Sequence, residues 1–226
     1  MKSTKKLRGT GVAITTPFHK DGNINFKGFK KLLEHLIAGK VDCLVPLGTT
    51  GESVTLTRDE KIAVLDFVVE VVDKRVPIVA GVGGNNTQEV LKCLSEYDFS
   101  GVDAILSVTP YYNRPSQKGL YQHYKMIVNE SPVPVILYNV PGRTGCNMLP
   151  ETTLSLANDF ENVIGVKEAS GNMEQIMSII RDTPEGFLVI SGDDAITFPL
   201  IAAGADGVIS VVANAFPKEF SEMVRA

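Results

Sequence analysis

The residues best equipped for chemistry in this chain are one lysine, a set of hydroxyls and one arginine, each placed where an apolar run ends. In NVIGVKEASGN, residues 162–172, the greasy segment Val163–Val166 runs straight into Lys167. Other apolar runs end in Thr15-Thr16, Gly48-Thr49-Thr50-Gly51-Glu52, Pro110-Tyr111-Tyr112, Tyr138-Asn139 with Arg143 close behind, and Gly192-Asp193. A neutral lysine among hydroxyls can attack a carbonyl and form a Schiff base. Bringing the amine from a pKa of about 10.4 to about 7.5 takes roughly 4 kcal/mol, at about 1.36 kcal/mol per pK step. Partial burial in an apolar wall supplies that, because desolvation penalises the ammonium. A tyrosine across the site would carry protons while the carbinolamine forms and collapses. The competing reading is a structural ion pair between Lys167 and Glu168 or Asp194.

Other designs find little support. His19, His35 and His123 lack metal-ligand spacing, and none stands at a run's end. In SGDD, residues 191–194, an Asp reads as a helix cap rather than a magnesium ligand. No two carboxylates converge as glycoside hydrolysis requires. The glycines of AGVGGNN, residues 80–86, do not follow the first strand as a dinucleotide loop would, and Asn86 reads as a helix cap. No metal or cofactor is expected.

The elements that must position these groups are legible as a repeat. Apolar, β-branched runs recur at 11–14, 43–47, 77–82, 104–108, 133–138, 163–166, 187–190 and 207–212. They are continuous rather than alternating, as in strands covered on both faces. Helical segments lie between them. Phe26, Phe29, Leu32, Leu33 and Leu36 form a stripe closed by Gly39 at a C′ position, where left-handed residues are common. Thr57 and Glu60 have capping-box spacing, Ser116 caps a following helix, and Pro150 suits a first turn. Ile176, Ile179 and Ile180 mark another helix, as do Phe198, Leu200 and Ile201, with Gly204 as its stop. Eight such repeats predict an α/β fold, a (β/α)8 TIM barrel over residues 1–226, with a doubly wound sheet as the alternative. In a barrel, the polar run ends would gather at one mouth. The last strand ends near residue 213 of 226, so the eighth helix should be short or incomplete.

Bulk properties agree. A net charge of −4 argues against a general nucleic-acid binder, and no apolar run nears the ~20 residues needed to cross a bilayer. The basic start, MKSTKKLRG, lacks a signal's apolar core and reads as a mobile arm over residues 1–8. Three scattered cysteines suit a reducing, cytoplasmic setting.

Taken together, GTTGES at 48–53, TPYYNRPSQ at 109–117, YNVPGRTG at 138–145, IGVKEASG at 164–171, SGDD at 191–194 and GVISVVAN at 207–214 resemble the class I, Schiff-base-forming dihydrodipicolinate synthases. The likeness runs from the first strand to the last residue. GTTGE and the YNxP…K pattern are shared by all pyruvate-dependent relatives, including N-acetylneuraminate lyase and sugar-acid aldolases. Arg143 and the tyrosine pair are more particular to the synthases.

The resemblance implies Lys167 as the imine-forming residue and Tyr138 as the proton donor and acceptor beside it. It implies a relay in which Thr49 links Tyr138 to Tyr112, the latter contributed by a neighbouring subunit. Thr49 and Thr50 would hold the pyruvate carboxylate, and Arg143 that of aspartate semialdehyde. Backbone groups of Gly192 and Ile209 would line the pyruvate pocket. The implied partners are these two substrates and further copies of the chain as a dimer or dimer of dimers. Asn85, Glu89 and Tyr111 match the family's lysine-inhibition site, where Arg58 and Lys61 replace histidines and predict weak or altered inhibition. Family members carry further helices after the barrel, which this sequence lacks. The alternatives are a sugar-acid aldolase, or a shortened barrel serving as a binding or assembly protein.

Overall fold

The computed structural model describes residues 4–226. Eight strands alternate with helices. They are β1 (Gly9–Ala13), β2 (Cys43–Val45), β3 (Val79–Gly81), β4 (Ala104–Val108), β5 (Val135–Asn139), β6 (Val163–Glu168), β7 (Leu188–Ser191) and β8 (Gly207–Ser210). All pair in parallel in the order β2-β1-β8-β7-β6-β5-β4-β3. A parallel bridge between Leu44 and Ile78 joins β2 to β3 and brings the ring round to closure. The expected TIM barrel is what the chain forms.

Alternation along each strand sorts the core into two layers. Ala13, Val45, Leu106, Ile136, Leu188 and Ile190 face inward and fill the barrel. Val12, Leu44, Ile105, Leu137, Val166 and Val189 face outward, against the helices. This two-sided burial is why the runs read as continuous in the sequence.

The helices are α1 (Phe26–Ala38), α2 (Arg58–Val72), α3 (Thr87–Glu96), α4 (Gln117–Glu130), α5 (Pro141–Thr144), α6 (Pro150–Asp159), α7 (Met173–Asp182), α8 (Thr197–Ala202) and α9 (Pro217–Arg225). The local signals act as expected. Thr57 and Glu60 form a reciprocal capping box, Ser116 accepts from the Gly119 N–H, and Asn86 accepts from Gln88. Gly204, at φ 106°, stops α8. The short α9 packs against α1 and β1, and its Arg225 reaches Asp42 at 3.0 Å.

Two expectations are corrected. Of the arm assigned to residues 1–8, residues 1–3 lie outside the described residues, but the remainder is docked. Thr4–Leu7 form a 3-10 turn, Lys6 and Arg8 pair with Asp103 and Asp206, and Leu7 is buried in the inner layer. One apolar side chain that plugs the barrel outweighs the basic character of its neighbours. Gly39 is not the left-handed residue after α1. It is right-handed at φ −73°, and Lys40 takes φ 59°. Space makes the glycine necessary, since a Cβ there would meet the Pro217 ring at 2.5 Å.

Strand β6 is longer than its apolar run and irregular. Val135 pairs with Val163, but Ile136 pairs with Gly165, so one extra residue enters β6 between them. Val163 belongs to the outer layer. Plain alternation from it would send residue 167 outward as well. The bulge resets the phase, and Lys167 pairs with inward-facing Tyr138 and Ile190. Gly165 permits this, because a Cβ would lie 2.7 Å from the Leu188 carbonyl oxygen.

Candidate active site

A cavity of about 1110 Å³ opens at the C-terminal ends of the strands. Lys167, Tyr138, Thr49, Thr50, Arg143 and Gly192 all line it. The structure thus gathers six of the eight residues expected at the reaction site, drawn from the ends of four strands, β2, β5, β6 and β7.

Lys167 is the only lysine of β6 and lines this cavity. The side chain is 5% exposed, and its Nζ lies 4.5 Å from the centre of the Tyr138 ring. Burial brings its pKa down to about 8, with the field of Arg143 lowering it and that of Asp194 raising it. Among the described residues Lys167 makes no ion pair within 4 Å. The competing reading of a structural ion pair therefore fails. Glu168, the next residue on the strand, must point to the opposite face and does so.

Tyr138 is also buried. Desolvation pushes its phenol above the ordinary range, and Thr49 and Arg143 pull it partly back. Thr49 stands close enough to favour the phenolate, although the two hydroxyls make no direct hydrogen bond of good geometry. Arg143 comes from the single-turn α5, which Pro141 starts one residue after Val140. Gly192 is a close-approach glycine. A Cβ would meet Ala169 Cβ at 2.6 Å and Lys167 Cε at 3.1 Å.

Two expected residues lie elsewhere. Tyr112 does not line this chain's cavity; it is 90% exposed, at φ 72°. Ile209 is 2% exposed within the inner apolar layer and is not part of the cavity wall. Its position in mid-strand, one residue before the end of β8, accounts for the difference. Asn85, Glu89 and Tyr111, with Arg58 and Lys61, line an extension of the same cavity.

Sequence reasoning weighed two carboxylates, Glu168 and Asp194, only as ion-pair partners of Lys167 and missed the roles they take. Of the two aspartates in SGDD, Asp193 is the one that caps, accepting from the Ala195 N–H at 2.9 Å. Asp194 instead accepts from the Val211 and Val212 N–H groups at 3.0 and 2.9 Å, which ties the β7 loop to the β8 loop and fixes an anion in the cavity wall. Glu168 is wholly buried behind β6 among amide donors. Strand alternation was the available signal for Glu168. For Asp194 there was none, because its partners are backbone groups of a remote loop. The arrangement holds a poorly solvated amine, an aromatic hydroxyl and a guanidinium around one space, a set suited to imine chemistry on a carboxylate-bearing carbonyl compound. Among the described residues no cluster of His, Cys, Asp and Glu could hold a metal ion.

Comparison with known proteins agrees with this geometry. Residues 6–226 match the model of the Dihydrodipicolinate synthetase family. The 4-hydroxy-tetrahydrodipicolinate synthase of Flavobacterium psychrophilum is 56% identical over 217 residues, covering 96% of this chain and 74% of the relative. The crystal structure of dihydrodipicolinate synthase from Thermotoga maritima superposes with a TM-score of 0.94 at 43% identity, over 96% of this chain and 75% of that one. A structure described as the first monomeric dihydrodipicolinate synthase variant gives 0.95 at 42% identity, over 99% and 75%. With the matched residues spanning the whole barrel and every strand end that lines the cavity, the chain belongs to the Dihydrodipicolinate synthetase family.

Proposed function

We propose that Lys167 is the residue through which this enzyme, which condenses pyruvate with L-aspartate 4-semialdehyde in lysine biosynthesis, holds its first substrate as an imine. The observation that carries the assignment is the buried amine, 4.5 Å from the Tyr138 ring centre and without a counter-ion in contact. Neutral Lys167 adds to the pyruvate carbonyl, water leaves, and the protonated imine draws electrons so that the methyl carbon becomes an enamine. That carbon attacks the aldehyde of the second substrate. The substrate's amino group then closes on the imine carbon and frees Lys167.

Tyr138 passes protons in these steps. Thr49 and Thr50 receive the pyruvate carboxylate beside the backbone of Gly192. Arg143 offers a rigid two-donor fork to the carboxylate of the semialdehyde. That arginine also favours this reaction over a sugar-acid aldolase, whose polyol substrate calls for hydroxyl or small groups. A borohydride reduction with pyruvate alone should add one pyruvate-derived group at Lys167, read by mass spectrometry. A coupled assay with both substrates should show turnover. An unmodified Lys167 would overturn the assignment.

The reading extends to a cytoplasmic homo-oligomer in which Tyr112 completes the relay of a neighbouring subunit. Its exposure in a left-handed turn, away from its own cavity, supports this. Mixing inactive Lys167→Met and Tyr112→Phe subunits should restore part of the activity, since a mixed pair contains one intact site. No recovery after verified subunit exchange would remove the relay across subunits.

A further inference from the structure

Behind the strand that carries Lys167 lies a closed cluster of polar side chains that the reaction does not touch. Glu168 is 0% exposed. Its Oε1 accepts from the Ser170 N–H at 2.7 Å and from Asn139 Nδ2 at 3.2 Å. Its Oε2 accepts from Asn139 Nδ2 at 3.0 Å and from Gln175 Nε2 at 3.0 Å. Asn139 Oδ1 in turn accepts from the Met148 N–H at 2.9 Å, while Asn147 Oδ1 accepts from Asn139 Nδ2 and Asn147 exchanges hydrogen bonds with Gln175. A carboxylate is acceptor-only, and every neighbour here presents a donor.

The cluster spans β5, β6, the loop after β6, helix α7 and the segment before α6. Its two strand members are the outward neighbours of Tyr138 and Lys167. In the ladder Tyr138 pairs with Lys167, and one step on Asn139 pairs with Glu168. The bulge in β6 has just reversed the strand's phase, so its end needs an anchor to keep residue 167 inward and residue 168 outward. We propose that Glu168 is a positioning residue, which clamps the ends of β5 and β6 from outside the barrel and so holds the Lys167 amine over Tyr138. This rests on the reading of Lys167 as the imine-forming residue. An amine displaced by even an ångström loses the alignment for attack, and one released from its apolar slot regains water.

Glu168→Gln tests the clamp, because the amide presents a donor where only acceptors fit. The groups facing Lys167 are Tyr138 on β5, Arg143 on α5, and Asp193 and Asp194 after β7, none of which this variant alters. Pyruvate trapping on Lys167 by borohydride should slow by about tenfold or more, with its acid limb moved to higher pH as the amine becomes hydrated. Exchanging the pair, Glu168→Gln with Gln175→Glu, restores a carboxylate facing an amide and should recover most of the rate. A folded Glu168→Gln protein that traps at the parent rate with an unmoved acid limb would overturn the proposal. Should that variant fail to fold, Gln175→Leu, which removes one donor, decides: slower trapping with the same upward shift supports the clamp, and an unchanged profile refutes it. A parent protein that does not trap pyruvate at all removes the assignment of Lys167 and this inference with it.

Discussion

At the scale of single residues, the functional group is also a burden on the fold. A lysine whose folded pKa is about 8, against 10.5 when solvated, binds fewer protons folded than unfolded between those two values. Stability from this group therefore rises as pH climbs from about 8 to about 10.5 and is lowest below 8. At neutral pH the penalty approaches about 3 kcal/mol, at 1.36 kcal/mol per tenfold. Lys167→Met should abolish pyruvate trapping yet raise the unfolding free energy at pH 7 by up to about this amount. Denaturant titrations of both proteins should show the gap closing as pH approaches 10.5. In the parent, imine formation should rise with pH through about 8 and then level off, as the neutral amine becomes the dominant form. Lys167 was legible as a site residue because it breaks an apolar run. Its orientation was not, since counting from either end of that run gives opposite faces.

At the scale of elements, helix boundaries and strand number were legible because they depend on local chemistry. Thr57, Ser116, Asn86 and Gly204 each act on N–H groups or dihedrals within a few residues. The bulge in β6 was not legible. It is defined by pairing with Val135 and Ile136, nearly thirty residues away, and within VIGVKE the glycine looks like any weak point in a strand. Gly165→Ala should therefore cost more than a glycine replacement in a regular strand. The added methyl meets backbone at 2.7 Å and Leu188 Cβ at 2.8 Å, so relief requires moving β6 against β7. We expect a loss of roughly 1–3 kcal/mol in stability, in the range of overpacking, with a larger proportional loss in trapping rate. Thermal melts beside borohydride labelling would check this; equal, small effects on both would show that the phase of β6 does not depend on Gly165. The docked N-terminal turn was missed for the same reason as the bulge, because the inner layer that receives Leu7 is assembled from remote strands.

At the scale of the whole molecule, charge in the cavity's extension sets what can bind there. Arg58 and Lys61 share it with Glu89, Asn85 and Tyr111. Arg58 is itself paired with Glu96 at 2.7 Å. An amino acid carrying an extra ammonium meets Lys61 beside the Glu96-paired Arg58, so L-lysine should inhibit weakly or not at all. A titration of turnover against L-lysine, with Lys61→His beside the parent, checks it; strong inhibition of the parent would show that these cations do not repel the ligand. The chain spans about three quarters of the length of its relatives, and the barrel with its reaction cavity lies entirely within that span.

The inward-facing layer has a final consequence. Packed side chains fill the barrel's waist, with Leu7 among them, so the reaction space has an apolar floor. What sits deepest must arrive first. On the proposed role of Lys167, a three-carbon acid held at the base would leave the shaft above it for its reaction partner, whereas the reverse sequence would put the base out of reach. Under that assignment the order of arrival follows from depth alone, before any side chain takes part in the chemistry.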